Sequence, residues 1–242
     1  MKALIQRRES LIMRLLHIIF LALFATAPGL AQSVAFFDDV LPGSPYYNHA
    51  NLMRIRFVTT GCSYVPSEFC ATDSLTRGQA AVFIVRSIYS ATTGNPEGYT
   101  YNQWAPQYFS DVPPSHPQYV YIQKIAELGI TSGCGSGAFC PDDFLNYAQV
   151  ATLAIRARMV RDTGSVFSLD CNAQPGTFAY FDCNAHFWDM NPADFFFPYA
   201  RKAYELLGND AKPPGCGSWM FCPATPIPVS YTHLTLPTNR EV

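Results

Sequence analysis

The chain lacks an apolar run long enough to cross a membrane. Its longest apolar stretch, Leu15 to Leu23, falls well short of the ~20 residues that a spanning helix needs. It also lacks a basic surplus: 16 lysines and arginines face 18 aspartates and glutamates, for a formal charge of −2. Without a basic patch to neutralise phosphates, duplex nucleic acid and anionic membrane surfaces are poor candidates as partners. Histidine is scarce, with five in the whole chain. There is no His-Glu-x-x-His pair, no phosphate-binding glycine loop, and no serine or cysteine in a nucleophile motif. These absences argue against an enzyme and against any cofactor. Cysteines at C-x2-C spacing are missing too, and with so few histidines to complete a site, no metal is expected.

What is present begins with an export signal. Lys2, Arg7, Arg8 and Arg14 precede the apolar stretch, and small residues from Ala25 to Ala31 follow it. A basic flank, a short apolar segment and a small-residue cleavage point describe a secretory signal over residues 1–31, and Met13 offers a second start. Those 31 residues hold four basic residues and one acidic one. The remainder therefore carries 12 basic and 17 acidic residues, a formal charge of −5.

All eight cysteines lie beyond the signal, where the compartment is oxidising. Cys62/Cys70, Cys134/Cys140 and Cys216/Cys222 bracket similar glycine-rich turns, and Cys171/Cys183 remain as a fourth pair. Local disulfides are expected for all four. The turns sit inside a repeating order of aspartate loop, helix, clipped turn and second helix. Asp39 to Cys62 is 23 positions, and so is Asp111 to Cys134. A third copy, counted from Asp182, needs 34 positions to reach Cys216, which implies insertions on both sides of its helix.

Helical periodicity supports the second helix of each of the first two copies. Val150, Leu153, Ala154 and Ala157 fall on one stripe, and Ala80, Phe83, Ile84 and Ile88 nearly repeat it. Thr76 with Gln79, and Asn146 with Gln149, place capping pairs before them. The first helix of the second copy is expected over Tyr119 to Leu128, and its second over Tyr147 to about Met159. One such helix pair buries too little apolar surface to stand alone, so the copies must pack on each other.

Phe109-Ser110-Asp111-Val112, Gly129-Ile130-Thr131-Ser132-Gly133, Phe139-Cys140-Pro141-Asp142 and, in the first copy, Leu75-Thr76-Arg77-Gly78-Gln79 stand in fixed order. In this the unit resembles the S-layer homology (SLH) module, here in a cysteine-containing form. The resemblance covers about three quarters of the chain. It implies a mostly α-helical fold of three SLH-like helix–turn–helix repeats with disulfide-clipped turns, packed around a pseudo-threefold axis. It also implies non-covalent attachment to the cell envelope through a cell-wall polysaccharide or a peptidoglycan-linked polymer. The exported protein is then expected in the periplasm or at the cell surface. Modules of this kind grip an anionic wall polymer in grooves between repeats, through an arginine that Arg77 matches. Asp39 and Asp111 are carried as further glycan contacts. The recurrence of aspartates at equivalent places nevertheless suits turn bonding better than acid–base chemistry. The alternative function is a structural protein-interaction repeat that binds no sugar.

The expected organisation is therefore a signal at 1–31, repeats at 36–89 and 108–159, linkers at 90–107 and 160–179, and an incomplete third repeat at 180–227. The linker aromatics Tyr99, Tyr101, Trp104 and Phe178 are expected to lie against the body. Residues 228–242 replace the final helix with Pro228, Pro237 and a β-leaning run. They read as an adapter-like, non-native tail, irregular and weakly packed, with a native continuation beyond Ile227 missing.

Overall fold

The computed structural model describes residues 35–100, 104–183 and 187–234. The signal reading at 1–31 lies outside them, as do Tyr101 and residues 235–242 of the tail. Among the described residues, five α-helices carry the fold: α1 (Tyr47–Ile55), α2 (Arg77–Thr93), α3 (Tyr119–Glu127), α4 (Tyr147–Thr163) and α5 (Phe197–Leu207). Strands β1 (Ser63–Tyr64) and β2 (Ser67–Glu68) form a small antiparallel hairpin in the first turn. Short 3-10 helices occupy Gly208–Ala211 and Val229–Leu234. Among the described residues, no helix is long and apolar enough to cross a membrane.

The long helices start and stop where their sequence dictates. Thr76 and Asn146 accept the backbone N–H of Gln79 and Gln149, and each glutamine reaches back to its cap residue. Gly94 and Gly164 close the two helices in left-handed conformation, which glycine adopts without a Cβ penalty. Both helices run to a threonine past the expected ends, so the first residues of the stretches read as linkers are helical. Within those stretches Tyr99 packs between Tyr89 and Tyr121, and Phe178 lies under Arg158 and Lys202. Trp104 departs from the expectation, being 85% exposed.

The clipped turns share one construction. Phe37 packs on Phe69, Phe109 on Phe139 and Phe187 on Phe221, with ring centroids 5.2, 5.3 and 5.2 Å apart. All six rings are buried. Disulfides join Cys62–Cys70, Cys134–Cys140, Cys171–Cys183 and Cys216–Cys222, with Cα atoms 5.9, 6.1, 5.6 and 6.1 Å apart. Cys70, Cys140 and Cys222 all have positive φ, between 54° and 57°. Left-handed backbone costs about 1–2 kcal/mol in a residue bearing a Cβ. The covalent clip and the bonds described below hold it in place.

Backbone hydrogen bonds link the turns to the helix starts in a closed circuit. Leu145 donates its N–H to Leu75, Ile227 to Leu145, and Leu75 to Ile227, at 2.9, 3.0 and 2.9 Å. Each of these side chains is 1% exposed. Around them the N–H of Arg77 reaches Asp143, that of Tyr147 reaches Thr225, and that of Val229 reaches Asp73. Gly78 to Pro141, Ala148 to Pro223 and Ser230 to Ala71 add an outer set.

Weak packing is thus not found at the start of the tail. Val229 and Ser230 are 4% and 5% exposed, and Tyr231 packs on Tyr147. Over the described residues the chain makes no regular α-helix there but a 3-10 turn that fills the place of a helix start. Tyr204 and Leu207, expected to be partly uncovered, are half-buried.

Candidate functional site

Each clipped turn closes on an aspartate. Asp39 accepts the N–H groups of Phe69 and Cys70 at 2.7 and 2.8 Å, one on each carboxylate oxygen. Asp111 does the same for Phe139 and Cys140 at 2.8 and 2.7 Å. The third member is Asp189, bonded to Phe221 and Cys222 at 2.8 and 2.6 Å. Asp182, from which the third copy was counted, does not hold this place. Its backbone N–H instead goes to Glu205. Asp39, Asp111 and Asp189 each stand eight residues before the first residue of their helix, so the expected insertion before α5 disappears. The signal was legible as Phe187-Trp188-Asp189-Met190, which matches Phe109-Ser110-Asp111-Val112.

Burial nudges the Asp111 carboxyl upward. The two N–H donors and the Arg77 guanidinium outweigh that effect and hold it below the usual carboxylate range. Neither Asp39 nor Asp111 lines the grooves beside the first and second clipped turns; both oxygens of each carboxylate accept backbone N–H groups of the turn.

Two equivalent grooves run between a clipped turn and the helix that follows it. The first, of about 190 Å³, is lined by Thr59, Thr60, Gln79, Arg86 and Val229 among others. The second, of about 290 Å³, is lined by Thr131, Ser132, Gln149, Arg156 and Arg77. Arg86 and Arg156 occupy the same place, each donating Nη1 to a backbone oxygen of the turn, Val58 or Ile130. Each guanidinium also lies over the tyrosine of the neighbouring helix, Tyr121 at 5.3 Å or Tyr199 at 5.0 Å.

Their charge partners differ. Arg86 is paired with Glu97 at 2.7 Å. Although burial works against its charge, Glu97 and Tyr121 hold its pKa above the ordinary arginine value. Arg156 gives Nε to the Tyr199 hydroxyl at 3.1 Å and rests on the Phe195 ring. Among the described residues no carboxylate pairs with it.

Arg77 joins Arg156 in the second groove, but it is buried, where a first-turn arginine is ordinarily exposed. It is 8% exposed, gives Nε to the Phe139 oxygen at 2.7 Å, and stacks over the Phe139 ring at 4.9 Å. Burial lowers its pKa, opposed by Asp143 and Asp111. The first groove holds Val229 where the second holds Arg77, so the second is the more electropositive. Arg156 went unnoticed in the sequence even though it follows Arg86 by 70 positions, the same offset that relates Cys140 to Cys70.

Comparison with known proteins gives two distant relatives. A cell surface protein of Thermoanaerobacter kivui is 28% identical over 138 residues, 57% of this chain and 17% of that protein. An endoglucanase of Bacillus sp. (strain KSM-635) is 28% identical over 151 residues, 61% of this chain and 14% of the enzyme. This chain thus spans under a fifth of either relative's length. Residues 108–151, which contain the second aspartate loop, its clipped turn and the start of α4, match the S-layer homology domain, generally a non-catalytic cell-wall anchoring module of surface proteins.

Proposed function

We propose that the chain attaches an exported protein to the cell envelope without covalent bonds, by binding an anionic wall polysaccharide in the groove between the second clipped turn and α4. The observation that carries this reading is Arg156. It is a half-buried guanidinium, oriented by Ile130 and Tyr199, that no carboxylate among the described residues neutralises. A guanidinium so oriented presents parallel donors that match a carboxylate's two oxygens, and partial desolvation strengthens the pair. Arg77 adds positive charge from the groove floor. Asp39 and Asp111 shape the turns and do not meet the glycan.

We further infer three SLH-like repeats around a pseudo-threefold axis, with Asp189 opening the third. The three matched phenylalanine pairs and the closed circuit through Leu75, Leu145 and Ile227 support this arrangement.

The test is a pull-down of the refolded chain on purified wall sacculi, with and without chemical removal of their secondary polysaccharide. Binding should require the polymer, weaken with salt, and fall about tenfold or more in Arg156→Ala. Arg156→Lys should rescue little, because a point charge cannot reproduce the bidentate fork. Equal binding to stripped and intact sacculi, or none to either, would favour a protein-interaction repeat that binds no sugar.

A further inference from the structure

The third clipped turn differs from the other two at one pair of positions. In every turn, the residue before the aspartate donates its N–H to a carbonyl across the turn. The pairs are Asp38 to Ser67, Ser110 to Gly137 and Trp188 to Trp219. The fold therefore needs nothing large there, yet the third copy carries two tryptophans. Their rings lie within 17° of parallel, with centroids 6.4 Å apart, and they are 80% and 64% exposed. Exposure on this scale leaves a face of each indole open to solvent.

The base beneath the pair is rigid. The Cys216–Cys222 disulfide clips the turn, Asp189 holds Phe221 and Cys222, and the buried Lys212 ammonium ties down the Gly217 and Ser218 carbonyls. The backbone that carries the pair is thus fixed by these bonds, which lowers the ordering cost of binding.

We propose that Trp188 and Trp219 form a stacking platform for the apolar face of a neutral pyranose in the wall polymer. This rests on the envelope-attachment reading above and adds a second, uncharged contact to it. The C–H groups on one face of a pyranose are weakly positive and complement the negative face of an indole. Two tryptophans offer at most about 150–250 Å² each, well short of the roughly 800 Å² per partner that a stable protein interface buries. Of the segments that carry the pair, 187–194 holds two aspartates and 213–222 no charged residue, and the adjacent Lys212 is buried on the turn's carbonyls, which disfavours an anionic lipid surface.

The experiment measures sacculus binding by the full chain, by Trp188→Ala/Trp219→Ala, by Arg156→Ala, and by Trp104→Ala as an exposed-tryptophan control. Intact sacculi and sacculi stripped of anionic polymer are used at low and high salt, with circular dichroism and disulfide content confirming the fold. The expected result is a loss of about tenfold in the double tryptophan variant on intact sacculi at both salt levels. The Arg156→Ala loss should instead be confined to intact sacculi at low salt. If the double variant binds as wild type while Arg156→Ala fails, the platform is overturned and the groove reading stands. If wild type binds no sacculi, both fall. A wild-type self-association in ultracentrifugation, or binding to phosphatidylglycerol vesicles, that the double variant abolishes would also overturn the platform.

Discussion

At the scale of single residues, one carboxylate closes each clipped turn by accepting two adjacent backbone N–H groups. Removing it leaves both donors to water and frees a cysteine held in left-handed backbone. Asp111→Ala and Asp189→Ala should each lower stability by about 1–2 kcal/mol in denaturant unfolding. A silent Asp189→Ala would return the third loop to Asp182. Asp111 also gives a pH dependence. Its folded-state pKa is depressed, so its stabilisation is present above the unfolded value near ~4 and is lost as pH falls through the folded value. Wild type should therefore lose more of its melting temperature than Asp111→Asn as pH drops below about 4; parallel curves would contradict this. The structural role of the aspartates was legible in the sequence because recurrence at one place per repeat is the mark of a turn. The burial of Arg77 was not. A first-turn arginine is ordinarily exposed, and only the neighbouring copy, through Phe139, covers this one.

At the scale of elements, the helices and their caps followed from local chemistry, since capping boxes and terminal glycines act within a few residues. The turns depend on approaches that local sequence does not reveal. A Cβ on Gly133 would lie 2.2 Å from the Ala138 oxygen and 2.8 Å from the Phe109 ring, at φ +91°. Gly129 has φ +71° but nothing within 4 Å of its would-be Cβ. Gly129→Ala should therefore cost about 1 kcal/mol of backbone strain. Gly133→Ala should cost at least about 2 kcal/mol, because strain and collision add. Urea melts of the two variants check this, and equal losses would mean that the turn yields. The misplaced start of the third copy has a similar origin. Phe181-Asp182-Cys183 mimics an aspartate loop, but Cys183 is bonded to Cys171. That crosslink fastens the end of the preceding connection and takes no part in a clipped turn.

At the scale of the whole molecule, the circuit of backbone bonds ties the segments that follow the three clipped turns to one another. Backbone donors carry no side-chain signature, which is why the segment after Ile227 read as an idle tail. Val229 and Ser230 donate to Asp73 and Ala71, so this segment closes the circuit onto the first copy. Ending the chain at Ile227 would remove two backbone hydrogen bonds, at about 0.5–1.5 kcal/mol each, together with the burial of Val229, about 1.5–3 kcal/mol. Part of that is recovered as water reaches the freed carbonyls, and a net loss of about 3 kcal/mol is expected. Because the circuit passes through all three turns, the loss should lower one cooperative transition for the whole body. Differential scanning calorimetry of the chain ending at Ile227, with the four disulfides intact, should show a single peak shifted down by several degrees. An unshifted peak would mean that residues 228–234 contribute nothing to the circuit. A separate early transition confined to the third copy would mean that the copies fold as independent units.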